Sequence, residues 1–226
     1  MEQINFKRLS ESVQEQIEIL FADFQSSISE REDSRAFGAF IESKIKTNWF
    51  NICTNLGYEE VPIPGRRTIF DFAFRTPQTF IGLDIKTKDL DKQRYSDGGV
   101  CAVSNLLKYL ANDKGVFMII EFGHNEAKEG SNLRDIEYIR VAPFHTFPAD
   151  TYRIENLGTG QVRLNYTLQQ MWNELDWNRT YHNFFDIFCD LAIKHYERIG
   201  RDAEIRKNAI LQFKKDGYTY FKFPRG

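Results

Sequence analysis

Three charged residues interrupt an otherwise apolar pattern: Asp71, Asp84 and Lys86. They lie in the stretch from Thr68 to Lys88, TIFDFAFRTPQTFIGLDIKTK. Phe70, Phe72 and Phe74 alternate with Asp71 and Ala73, and Ile81, Leu83 and Ile85 alternate with Gly82, Asp84 and Lys86. Period-two alternation marks half-buried strands, and Thr76-Pro77-Gln78 supplies the turn between them, since proline fixes φ. Successive side chains of a strand point to opposite faces, so Asp84 and Lys86 share one face. A turn centred on Pro77 and Gln78 sets Asp71 opposite Asp84, with Cβ atoms roughly 5 Å apart. Two facing carboxylates repel each other, and a divalent cation between them removes the conflict. Carboxylate oxygens are the ligands that Mg²⁺ prefers, with water keeping the remaining positions.

FD followed thirteen residues later by LDIK resembles the core of the PD-(D/E)xK nucleases. The first motif position is Phe70 here instead of proline. Asp84-Ile85-Lys86, followed by Thr87, is most similar to type II restriction endonucleases of the EcoRV and HincII branch. The match is tight over the hairpin and extends to the residues beyond about 180 only as a general pattern. The resemblance implies a restriction-endonuclease-like fold and Mg²⁺-dependent hydrolysis of phosphodiester bonds in double-stranded DNA at a short, palindromic sequence. Asp71, Asp84 and Lys86 would be catalytic. Asp71, Asp84 and the backbone carbonyl of Ile85 would hold the metal, and Lys86 would position the attacking water and offset negative charge. A helix carrying a glutamate precedes the hairpin in many such nucleases, which implies a supporting role near the metal for Glu42. The competing bland reading pairs Glu42 with Lys46 one helical turn on.

The elements around the hairpin follow from periodicity. Val13, Ile17, Leu20, Phe21 and Phe24 predict an amphipathic helix over Ser10–Ser27, capped by Ser10 or Ser12. A second helix is predicted over Ser34–Leu56, closed by Gly57 as a left-handed cap. Tyr58 to Pro64 reads as an edge strand, and Arg66 and Arg67 beyond it could meet phosphates. Thr87 to Gly99 reads as a polar loop, and a short helix follows over Ser104–Asn112. A polar loop directly after a catalytic strand is a natural mount for binding groups, so Thr87, Gln93, Arg94, Tyr95, Ser96 and Asn105 are the candidate DNA contacts. The continuous apolar run Gly115–Gly123 predicts a buried central strand, with further strands over Ile136–Ala142, Thr151–Glu155 and Gln161–Tyr166. Helices are expected over Leu168–Trp177, Tyr181–Ile199 and Arg201–Lys215, then a strand over Tyr218–Phe223.

The whole, residues 1–226, therefore reads as one α/β domain: a mixed central β-sheet flanked by helices, with a helical C-terminal part. The composition, 42% hydrophobic and 15% aromatic, excludes a disordered chain. Net charge is −2, and residues 1–33 carry eight acids against three bases, so the rest of the chain is basic overall. Charge gathered at a cleft matters more to a nucleic acid than the total. Cys53, Cys101 and Cys189 are too sparse for a disulfide framework or zinc site, which fits a reducing, cytoplasmic setting. The N-terminal residues lack a signal peptide's apolar region, and no apolar run is long enough to span a membrane. No HExxH, GxSxG or Walker pattern is present, so no nucleotide cofactor is expected. A homodimer is expected, because two subunits match the symmetry of a palindromic site. Two alternatives stay open: a structure-selective nuclease of repair or junction resolution, and a non-catalytic DNA-binding module.

Overall fold

A computed structural model describes residues 4–22, 34–62, 68–91, 98–112, 115–126, 134–155, 160–165 and 170–215. Gln93, Arg94, Tyr95 and Ser96, the pair Arg66 and Arg67, and the expected strand Tyr218–Phe223 all lie outside them.

The centre is a five-stranded mixed sheet in the order β1-β2-β3-β5-β6. Its strands are β1 (Glu59–Glu60), β2 (Phe72–Arg75), β3 (Phe80–Asp89), β5 (Val116–Glu126) and β6 (Arg134–Pro143). β3 and β5 are parallel, and the other neighbouring pairs are antiparallel. Parallel neighbours need a crossover, which is helix α3 (Val103–Asn112). Beside this sheet stands a second, three-stranded one, ordered β4-β8-β7, from β4 (Gly98–Ala102), β7 (Tyr152–Glu155) and β8 (Gln161–Leu164).

Strand parity decides what covers each face. Phe72, Phe74, Ile81, Leu83, Met118, Ile120 and Phe122 point to one side, where they pack with α1 (Phe6–Phe21) and α2 (Ser34–Leu56). Phe117, Ile119 and Ala142 point to the other. There they meet α3, the small sheet and the start of α5 (Tyr181–Lys215), through Leu106, Val162, Phe184 and Phe188. Helices thus flank a mixed sheet, as the sequence predicts. The short α4 (Gln170–Asn173) precedes α5.

Several boundaries differ from the expectation. α1 begins at Phe6, because Asn5 caps it: its Oδ1 accepts the Arg8 N–H at 3.0 Å. Ser10 is instead inside the helix, where its hydroxyl donates back to the Phe6 carbonyl at 2.8 Å. α2 has the expected bounds, and Gly57 closes it at φ +73°. β3 runs on to Asp89, and Gly98–Ala102 is strand, so both ends of the expected loop are sheet. Pairing with β5 through Asp89↔His124 carries β3 that far, polar side chains notwithstanding. α5 is continuous through Gly200, where the expectation has a break. Of the expected helix Leu168–Trp177, the described residues 170–177 are helical only in the single turn of α4. Among the described residues, no helix is long and apolar enough to cross a membrane.

Candidate active site

The hairpin has the register the sequence predicts. Phe72 pairs with Leu83, Ala73 with Gly82, Phe74 with Ile81 and Arg75 with Phe80. The turn is built on Thr76, whose N–H donates to the Thr79 carbonyl at 2.9 Å. Its Oγ1 accepts the Thr79 N–H at 3.0 Å, which fixes Pro77 and Gln78 as the two loop residues.

At Asp71 the ladder changes character. Its N–H still donates to the Leu83 carbonyl at 2.8 Å. Its side-chain Oδ2 then accepts the Ile85 N–H at 2.8 Å. The carboxylate takes the place of a backbone acceptor where β2 has ended, and this fixes its position. In an antiparallel ladder the N–H and C=O of one residue face the same edge. The Ile85 carbonyl therefore faces the side that holds Asp71, beyond the last rung of β2.

Asp84 is 6% exposed, on the face opposite Leu83. Its buried Oδ2 lies 2.5 Å from Lys86 Nζ, close enough for a charge-assisted pair. Burial above all pushes the Asp84 carboxyl up to about 7; Asp71 adds to this, and Lys86 acts against it. A buried carboxylate with a raised proton affinity beside a second carboxylate is suited to a cation. Among the described residues no three His, Cys, Asp or Glu side chains converge as a ligand set. The donors that do converge are two carboxylates and a carbonyl edge. That set fits Mg²⁺, which commonly takes one or two carboxylates and leaves the rest to water and phosphate.

The other expected residues are distributed as follows. Ile85 is brought to Asp71 through its backbone. Thr87 is on the opposite face from Asp84 and Lys86, where a Cβ added to Gly38 of α2 would lie 3.5 Å from its Oγ1. Glu42 is exposed on α2, the helix covering that opposite face, and does not join the carboxylate cluster. Asn105 is exposed on α3, outside the buried stripe of Val103, Leu106, Tyr109 and Leu110.

Two neighbours were not anticipated. Glu121, fully buried on β5, is the register partner of Lys86, and Arg140 on β6 is the partner of Glu121. The three form one row across the sheet on the Asp84 face. Burial pushes the Glu121 carboxyl up, offset by Lys88 and a hydrogen bond from Tyr138. Tyr138 donates its hydroxyl to Glu121 Oε1 at 3.0 Å. Arg140 stacks on the Tyr138 ring, 4.2 Å from its centroid. A glutamate inside the run GVFMIIEFG is the sequence signal for this cluster. Cys101, on β4, is the second neighbour. Burial pushes its thiol up to about 12, with the Asp84 charge next in weight. A thiol held protonated cannot be the nucleophile, and no sequence signal places it here.

No family model and no curated protein matches the chain.

Proposed function

We propose that the chain is a Mg²⁺-dependent endonuclease that hydrolyses phosphodiester bonds in double-stranded DNA at a short, palindromic sequence, acting as a homodimer. The observation that carries the reading is the buried Asp84 carboxylate, held beside Asp71 with its Oδ2 2.5 Å from Lys86 Nζ. A structural hairpin gains nothing from setting two carboxylates side by side.

Asp71 and Asp84 would hold the cation, with the Ile85 carbonyl as a third donor. A divalent cation bound there supplies positive charge against the charge developing on the phosphate and favours deprotonation of a water. Asp71 is fixed for this by the Ile85 N–H, so little reorganisation is needed. Lys86 offers three donors on a flexible stem. Paired with Asp84 here, its ammonium can turn to the attacking water and a phosphate oxygen when substrate enters. The water oxygen adds to phosphorus, its proton is lost, and the bridging P–O bond breaks to release an alcohol.

Sequence reading would come from the polar residues that follow β3, among them Gln93, Arg94, Tyr95 and Ser96, with Asn105. The test is incubation of the protein with phage DNA and Mg²⁺ and sequencing of the fragment ends. Discrete ends at one repeated sequence support the reading, and intact DNA contradicts it.

A further inference from the structure

We infer that the cleft where the N-termini of α1 and α5 meet is an anion site, which binds the phosphate group of a larger ligand. A cavity of about 580 Å³ opens there. Its wall includes Phe6 and Lys7 from α1, Arg179, Thr180 and Tyr181 from the start of α5, and His145 from the turn after β6. None of Asp71, Asp84 and Lys86 lines it, so the inference does not rest on the nuclease reading.

His145 gives the cleft its specific chemistry. It is 1% exposed and lies between the rings of Phe6, 5.1 Å away, and Tyr181, 4.3 Å away. Neither ring nitrogen has a hydrogen bond. A buried polar group without a partner is costly and calls for one. Burial foremost, then the Arg179 guanidinium, holds the imidazolium form down, to about 4, against the pull of Asp176. The ring is therefore neutral and can donate one N–H.

The two helices supply the remaining donors. The first N–H groups of a helix have no intrahelical acceptor, and its aligned peptides put partial positive charge at that end. Asn5 Oδ1 takes only the Arg8 N–H, and Thr180 takes those of Asn183 and Phe184. The N–H groups of Phe6, Lys7 and Tyr181, which line the cleft, are left by the caps. The helices are 16 and 35 residues long, and two such ends converging favour an anion. Arg179 is held in place by donating to the carbonyls of His145 and Phe147, and it brings a fixed positive charge. Asp176, 3.6 Å from Arg179 Nε, is the acid beside it. The volume exceeds what a tetrahedral anion fills, and Phe6, Trp177 and Tyr181 offer apolar walls to the part that carries it.

The test is titration of sulfate and of inorganic phosphate into the intact chain without divalent metal, followed by the backbone amide resonances. Saturable shifts at Phe6, Lys7 and Tyr181 are expected. His145→Phe keeps the ring stack and removes both nitrogens, and should weaken binding at least about tenfold, the loss of a hydrogen bond to a charged group. Lys7→Glu, on an exposed side chain, should also weaken it and serves if His145→Phe does not fold. Absence of saturable shifts, or affinity unchanged in the variants, would overturn the inference. Displacement of sulfate by a short DNA duplex would identify the phosphate as a nucleic-acid backbone, and displacement by a mononucleotide alone as that of a small molecule. Displacement by neither would mean an adventitious ion only, and would also overturn it.

Discussion

Asp71 Oδ2 accepts the Ile85 N–H at 2.8 Å, one residue beyond the last paired position of β2. A side chain thereby completes a backbone ladder, and the carboxylate is oriented by the sheet itself. Asp84 has no such backbone support: its Oδ2 is buried 2.5 Å from Lys86 Nζ, with Asp71 beside it. The two carboxylates of the hairpin thus differ in setting, one held by a backbone N–H and the other paired with a lysine.

That difference separates their variants. Asp71→Ala leaves the Ile85 N–H without its acceptor and should cost about 1–3 kcal/mol. Asp71→Asn keeps an oxygen for that N–H and should unfold close to wild type. Both should cut DNA at least about a hundredfold more slowly, the scale of removing one electrostatic group. Thermal unfolding and single-turnover cleavage, measured on both, check this.

Asp84 should make the metal-free protein pH-sensitive. Its folded pKa, about 7, lies above the value of about 4 that an unfolded aspartate has. Its contribution is therefore fully favourable below pH 4 and is lost as pH rises through 7. Glu121 shifts in the same direction, so comparison with Asp84→Asn isolates Asp84. In urea without metal, wild type should lose on the order of a few kcal/mol more than Asp84→Asn between pH 4 and 8. Mg²⁺ should restore the wild type at pH 8, by about 2.7 kcal/mol at a hundred times its dissociation constant, and leave Asp84→Asn unmoved. Parallel pH profiles would contradict the burial of this carboxylate.

Gly123 makes room for the ring of Tyr138, its register partner, and so for the hydrogen bond to Glu121. A methyl group there collides with that ring, and Gly123→Ala should cost about 1–3 kcal/mol. Gly200, exposed inside α5, has nothing within 4 Å of an added Cβ. Gly200→Ala should gain up to about 1 kcal/mol. Urea midpoints of the two variants should move in opposite directions.

For recognition, Asn105→Ala should lower cognate cleavage by more than about tenfold, the low end of a bidentate base contact. Binding to random duplex should change much less. Equal losses on both would place Asn105 on phosphates instead.

The hairpin was legible because its signals are local: strict alternation, a proline turn, and a register that follows once the turn is placed. The Ser34–Leu56 helix was legible for the same reason, a long apolar stripe ending at a glycine. Asp71 was expected to face Asp84, yet its bond to Ile85 depends on β2 beginning only at Phe72, which no pattern marks. β4 and the extension of β3 were missed because sheet pairing, not propensity, makes Gly98–Ala102 and Thr87–Asp89 extended. Thr87 was expected as a DNA contact because it follows Lys86, and Glu42 as a supporting residue because the resemblance implies one. Strand parity and the packing of α2 put both on the side opposite Asp84. Cys101 reaches Asp84 through a strand of the second sheet, a long-range placement that local spacing cannot express.

Cleavage of supercoiled plasmid by wild type, Asp84→Ala and Lys86→Ala, with Mg²⁺ and with EDTA, is the most direct measurement. Wild type with Mg²⁺ should yield discrete fragments, EDTA should stop it, and added Mg²⁺ should restore it. Both variants should leave the plasmid intact while remaining folded. Cleavage that survives EDTA, or Lys86→Ala cutting at near wild-type rate, would contradict the assignment of this site.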